Sequence, residues 1–101
     1  METKIIIPNL DNDGSDNSDV IKSAIVKMCA LFGGCTTTQG RGNWVNDEGV
    51  LFVDDVTIIF SSSTKSNTAD SMKELAQAVV AATDQEAVFV STGENAEIIS
   101  R

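Results

Sequence analysis

Ala30-Leu31-Phe32-Gly33-Gly34-Cys35-Thr36-Thr37-Thr38-Gln39-Gly40-Arg41-Gly42-Asn43-Trp44 is the stretch in which this chain changes from one backbone period to another. Upstream, apolar residues recur three or four apart. Inside the stretch, Gly33-Gly34 supplies the positive φ that stops a helix, and the β-branched run Thr36-Thr37-Thr38 favours an extended backbone. Gly40 and Gly42 then interrupt the strand where side chains would otherwise pack, which marks a bulge or a place where a ligand or another backbone comes close. Helix passes into strand at Cys35, around the only tryptophan of the chain, Trp44.

Working outward, Ile21, Ala24, Ile25, Met28, Leu31 and Phe32 fall on one helical face, predicting an amphipathic helix from Asp19 to Phe32 with Ser18 as its cap. Before it, Ile5-Ile6-Ile7 is a β-branched run closed by Pro8, so Lys4 to Pro8 reads as a short buried strand. After it, Cys35 to Val45 and Gly49 to Ser61 read as two strands of a hairpin turning through Asn46-Asp47-Glu48. The polar loop from Ser61 to Ser66 is expected to be mobile at its tip and able to act as a lid. A second helix runs from about Thr68 to Thr83, capped by Asn67, with Met72, Leu75, Ala76, Val79 and Val80 on one face. Ala87 to Ser91 is a fourth strand, and Ala96 to Ile99 is an apolar stub suited to an exposed sheet edge, its own or a neighbour's. The order β-α-β-β-α-β predicts an α+β fold over residues 1–101 as one domain. Its form is a ferredoxin-like sandwich with a four-stranded antiparallel sheet and two helices on one face.

Composition excludes several functions. Seven basic against fifteen acidic residues give a net charge of -8, which disfavours nucleic acid and anionic membrane as partners. No apolar run approaches the roughly 20 residues that span a bilayer, and Met1-Glu2-Thr3-Lys4 does not open a signal peptide, so a cytoplasmic location is expected. With no histidine, Cys29 and Cys35 assemble neither a structural zinc site nor a Cys/His nucleophile, and both are expected to be buried thiols. Asp11 to Asp19 is rich in aspartate and asparagine like a calcium loop. Its Gly14 stands at the fourth position instead of the sixth, however, and Lys22 occupies the place of the closing glutamate, so it reads as a solvated loop.

Alternation along the second hairpin strand puts Asp54 in phase with Phe52, Val56, Ile58 and Phe60. A bulge turns Asp54 and Asp55 outward, or they sit on an edge strand and discourage aggregation, or Asp54 faces a cleft and binds a cationic or hydroxylated ligand. Arg41 is a clamp for an anionic group or a solvated side chain. Trp44 anchors the hairpin on the core or stacks on a ligand ring, the anchor being the expected role.

Ile7-Pro8-Asn9-Leu10-Asp11-Asn12-Asp13-Gly14, Leu31-Phe32-Gly33-Gly34-Cys35-Thr36, Gly42-x-Trp44 and Gly49-Val50-Leu51 resemble the small PII-like trimers encoded by bacteriophages, and among them the S-adenosylmethionine lyases. The resemblance extends from Lys4 to about Val90. It implies a PII-like homotrimer with substrate at subunit interfaces and no metal or organic cofactor. It also implies cleavage of S-adenosylmethionine to methylthioadenosine and homoserine lactone by the substrate's own carboxylate. Asp54 stands where the family has a glutamate and is the implied catalytic acid, while Gly40, Arg41, Gly42, Asn43 and Trp44 are the implied substrate-binding residues. Asn43 replaces a family tyrosine. Such chemistry needs a folded substrate and a site that tolerates a sulfonium, with no protein nucleophile, so a chain without histidine suffices. The other functions this sequence accommodates are a non-catalytic PII-like binder of an adenine nucleotide or related metabolite, and a structural trimer.

Overall fold

The computed structural model describes every residue from Met1 to Arg101. Its elements run β1 (Glu2–Pro8), α1 (Ser18–Phe32), β2 (Thr36–Val45), β3 (Leu51–Ser62), α2 (Thr68–Ala82), β4 (Ala87–Thr92) and β5 (Asn95–Ser100). The five strands form one antiparallel sheet in the order β2-β3-β1-β4-β5. The β-branched run of β1 lies at its centre, paired with β3 through Ile5–Ile59 and Ile7–Thr57 and with β4 through Ile5–Val90. Ile5 and Ile7 point to the helices, where Ile59, Val88, Val90 and Ile99 join Ala24 and Met28 of α1 and Met72, Leu75, Ala76, Val79 and Val80 of α2 in one core. Both helices therefore cover the same face of the sheet. Neither is long and apolar enough to cross a membrane.

The sheet has five strands, not four. The stub at Ala96 to Ile99 belongs to β5, which pairs with β4 of its own chain through Val88–Ile99 and Val90–Glu97. A two-residue turn of Gly93 and Glu94 makes the connection, with Gly93 at φ 61, the first hairpin position that favours glycine.

Local chemistry revises several other expectations. Ser18 is the first helical residue and not the cap. The Asn17 amide, which precedes it, donates to Pro8 O and Asp11 Oδ1, while Asp16 Oδ1 accepts from the Ser18 amide. At the other end of α1, Gly33 takes φ 87 and donates to Cys29 O, the left-handed stop read from the sequence. The loop after β3 is tied down and is no free lid. Ser63 is buried, its amide donates to Met1 O, and its hydroxyl pairs with Thr68 Oγ1 and accepts from Lys65 N. Lys65 Nζ donates to Leu31 O at 2.5 Å, placing a cation on the negative end of the α1 dipole.

The cysteines also depart from expectation. Cys29 is exposed, because it follows Met28 on α1 and the helical turn of one residue rotates it off the core. Cys35 is half-buried against the core.

Ile59 has no solvent exposure and sits on the strand that holds β1 and β2 together. Ile59→Ala should lower unfolding free energy by roughly 2–5 kcal/mol in urea titration, against about 0.5 kcal/mol or less for Val26→Ala on the outer side of α1.

Candidate functional site

β1 stops at Pro8, opposite Val56, whereas β2 and β3 stay paired from Gly40–Val56 through Arg41–Asp55, Gly42–Asp54 and Trp44–Phe52 to Val45–Leu51. The far half of the hairpin is thus a two-stranded ribbon projecting beyond the sheet. Its pairing is continuous, so no bulge turns Asp54 and Asp55 to the same side. At the tip, Asn46 Oδ1 accepts from Glu48 N and Val50 N, and Gly49 at φ 80 closes the turn.

The register sorts the expected site residues onto two faces. Gly40, Gly42 and Trp44 of β2 share the helix-free face with Phe52, Asp54 and Val56 of β3, while Arg41 and Asn43 lie on the opposite face with Val53 and Asp55. Sequence alternation along β3 identified the Asp54 face correctly. What it did not anticipate is that Arg41 and Asn43 face away from Asp54 within one chain.

On the helix-free face, Trp44 stacks on Phe52 with ring centroids 4.5 Å apart and planes 14° from parallel. The tryptophan is 52% exposed and does not anchor on the core, because the ribbon carrying it extends past the last core residue of the sheet. The stack is a cross-strand pair, worth about 0.5–1.5 kcal/mol to the ribbon beyond its area burial. Phe52, which the sequence reading did not assign to a site, is the other half of this aromatic platform. Asp54 is exposed beside it, facing Gly42 across the strands. A Cβ at Gly42 would meet Val56 Cγ1 at 3.5 Å and one at Gly40 would meet Ile58 Cδ1 at 3.3 Å, so the glycines leave a shallow trough floored by backbone and valine.

On the other face, the Arg41 guanidinium lies 3.5 Å from Asp55 Oδ1 in an exposed ion pair, and Asn43 Nδ2 donates to Arg41 O. Arg41 is therefore engaged by Asp55, and the Asp54 carboxylate has no cationic partner in its own chain. The trough is open along its length. A concavity of about 630 Å³ between α1 and α2, lined by Val20, Ala24, Leu75, Ala78, Val79 and Ala82, contains none of these residues.

Asp11, Asp13 and Asp84 bring carboxylate oxygens within 4.8 Å of one another, the one acidic grouping dense enough to suggest a cation. Five of their six oxygens already accept hydrogen bonds. Asp84 accepts from the amides of Asn12 and Asp13, Asp11 accepts from Asn17 Nδ2 and the Asp84 amide, and Asp13 accepts from Ser15. The cluster is a clasp between the β1–α1 and α2–β4 loops. Partial burial alone would raise the Asp11 pKa, but the donors from Asn17, Asp84 and Gln85 outweigh it and hold the carboxyl below its usual range.

No family model and no curated protein matches the sequence. Among solved structures, a phage SAM lyase in complex with S-methyl-5'-thioadenosine superposes with a TM-score of 0.73 at 16% identity, covering 99% of this chain and 88% of that chain. The apo state of a phage SAM lyase gives 0.72 at 17% identity over the same shares. The likeness establishes a common fold along essentially the whole of this chain.

The clasp carries a pH dependence. Because the Asp11 pKa is lowered on folding, its contribution is complete above the unfolded value near pH 4 and is lost as pH falls through the lower folded value. Asp11→Asn should be less stable than wild type at neutral pH, and the gap in melting temperature should close as pH is taken down through and below the ordinary aspartate range. A gap that stays constant with pH contradicts this role of the ionised carboxylate.

Proposed function

We propose that this chain is an S-adenosylmethionine lyase that works as a homotrimer, cleaving S-adenosylmethionine to methylthioadenosine and homoserine lactone at subunit interfaces. The observation that carries the proposal is the helix-free face of the ribbon. It offers an aromatic platform of Trp44 and Phe52, an unpartnered Asp54 carboxylate and a glycine-floored trough on a single surface. The fold shared with a phage SAM lyase that holds methylthioadenosine supports it. The PII-like form of the ferredoxin-like sandwich is part of the same proposal.

In the reaction, a carboxylate oxygen of the substrate's methionyl group attacks its own Cγ. The Cγ–S bond breaks, its electron pair returns to sulfur, and a neutral thioether and a five-membered lactone result. No proton moves, so no general acid, base or metal is required. The protein's task is to hold the methionyl chain folded with oxygen opposite sulfur, the entropic part of the barrier. The Trp44–Phe52 surface suits the adenine ring, the Asp54 carboxylate suits the cationic end of the substrate, and Gly40 and Gly42 let the substrate approach the backbone.

A single ribbon supplies only one wall. It leaves Val45, Leu51 and Val53 exposed together with Trp44, and Ile98 of β5 is 70% exposed. Apolar side chains exposed at these places suit cover by a neighbouring copy, which supports the trimer in this reading. In a ring of three copies, the Asp54 face of one ribbon can meet the Arg41–Asn43 face of the next. That arrangement brings the whole expected set to one substrate and places a guanidinium near its carboxylate. Asp54 is then the catalytic carboxylate, and Gly40, Arg41, Gly42, Asn43 and Trp44 are the substrate-binding residues.

Light scattering at micromolar concentration should give three times the chain mass of 10.7 kDa, whereas a monomer removes the interfacial site. Incubation with S-adenosylmethionine should produce methylthioadenosine by chromatography. Binding without turnover would instead assign the site to a metabolite sensor or sponge, and failure to bind any adenosine compound would leave a structural trimer.

Asp54→Asn should lower kcat/KM by roughly tenfold or more, about 1.4 kcal/mol of transition-state stabilisation, while exposed Asp54 leaves the melting temperature unchanged. Asp54→Glu, the family residue, should raise activity. Gly42→Val has room beside Val56 and should fold, yet it should abolish ligand binding by filling the trough. Calorimetry showing unaltered binding in that variant excludes the glycine strand from the site.

A further inference from the structure

Cys29 and Cys35 sit on either side of the Gly33-Gly34 turn, and their sulfurs are 3.7 Å apart. The approach follows from how α1 and β2 meet. Cys35 packs beneath the last turns of the helix with its Sγ 3.9 Å from Ile25 O, and Cys29 lies one helical turn beyond Ile25 on the same ridge. Gly33 at φ 87 reverses the chain so that the first residue after the turn returns under the residue that accepts its stop bond, Cys29. Neither thiol is enclosed. Cys29 is exposed and Cys35 is half-buried, so a small oxidant reaches the first and the second is positioned to resolve it.

We propose that Cys29 and Cys35 form a reversible intramolecular disulfide that locks the α1–β2 junction, with a low-molecular-weight disulfide as oxidant. The Cys29 thiolate attacks one sulfur of the oxidant, forming a mixed disulfide and expelling one thiolate, which takes up a proton. The Cys35 thiolate then attacks the Cys29 sulfur and expels the second thiolate. Two protein thiols and one small disulfide become one protein disulfide and two small thiols, with two electrons passed to the oxidant. The sulfurs must close from 3.7 Å to a bond of about 2.05 Å, a movement within reach of a side-chain rotation at exposed Cys29. The ring so formed contains Gly33 and Gly34, whose freedom lets the junction tighten without moving the core residues of α1. Burial, followed by the adjacent Cys29 thiol, raises the Cys35 pKa, in keeping with its part as the slower, resolving partner.

The test is to incubate the native protein with excess oxidised glutathione and follow intact mass and free thiols. Wild type should lose both thiols and about 2 Da, remain a single chain on a non-reducing denaturing gel, and return to the starting mass with dithiothreitol. Cys35→Ser should instead stop at a stable glutathione adduct on Cys29, and Cys29→Ser should react several-fold more slowly at its remaining half-buried thiol. Wild type that retains a glutathione adduct with one thiol free, or that cross-links between chains, overturns the proposal. So does closure no faster in the folded protein than in the same chain in urea, because the claim is that the fold brings the sulfurs together.

Discussion

The length mismatch between β1 and the β2–β3 hairpin organises this molecule. β1 lies at the centre of the sheet and is hydrogen-bonded on both sides, and Pro8 has no amide to continue the ladder. Past Pro8 only Asn9 N remains bonded to β3, at Asp55 O, before the chain leaves for α1. Asn9 then fixes the exit with its side chain, donating to Gln39 Oε1 and accepting from Thr57 Oγ1. From that point β3 has β2 as its one neighbour, and the ribbon from Gly40 to Asp55 carries its side chains without helix or third strand to cover them. Core and candidate site are therefore two consequences of one register. Where three strands are paired the alternation buries Ile5, Ile7 and Ile59, and where two are paired the same alternation exposes Trp44, Phe52 and Asp54.

Much of this was legible in the chain because it depends on periods that a sequence carries directly. The three-four spacing from Ile21 to Phe32 and from Met72 to Val80 gave both helices to within a residue or so, and the run Ile5-Ile6-Ile7 gave the central strand. What was missed depends on partners. β5 was visible as an apolar stub, but choosing its own β4 over a neighbour's edge required reading Gly93-Glu94 as a two-residue hairpin. Trp44 was expected on the core because tryptophans are usually buried, and only the strand pairing shows that it faces away from the helices on a ribbon that runs past the end of β1 at Pro8. The serine-rich loop looks mobile by composition, yet Ser61 Oγ donates to Gly34 O, the Ser63 amide to Met1 O and Lys65 Nζ to Leu31 O, all partners distant in sequence. The candidate site follows the same division. Alternation placed Asp54 with Phe52, but it could not show that Arg41 is held by Asp55 on the reverse side, since that requires the pairing of the two strands.

The division of the site residues between two faces bears on what one chain can do. An exposed aromatic stack and a carboxylate on a ribbon open to water bind weakly, because water competes for every polar contact and covers the rings when no ligand does. A displacement that annihilates charge is slow in the same setting. In the proposed reaction the carboxylate and sulfonium of S-adenosylmethionine are both well hydrated at the start and both lose their charge on the way to products, so water stabilises the reactant more than the transition state. The proposed trimer would address both problems at once, excluding water and adding a second wall.

The same reasoning limits the part that Asp54 can play. A fixed carboxylate against the sulfonium stabilises a charge that disappears in the transition state, so on that contact alone it would tighten binding and slow the chemical step. It contributes to rate only if it also holds a group whose character persists through the reaction, such as the substrate's ammonium or its ribose hydroxyls, and thereby fixes the folded conformation in which oxygen lies opposite sulfur. Aspartate at this position is one methylene shorter than the glutamate of the lyases this sequence resembles and reaches less far from the ribbon, and Gly42 directly across from it removes the side chain that would otherwise keep the proposed substrate at a distance. The glycine lets the substrate come down toward the strand, and the remaining gap to the acid is one that the added methylene of a glutamate would narrow.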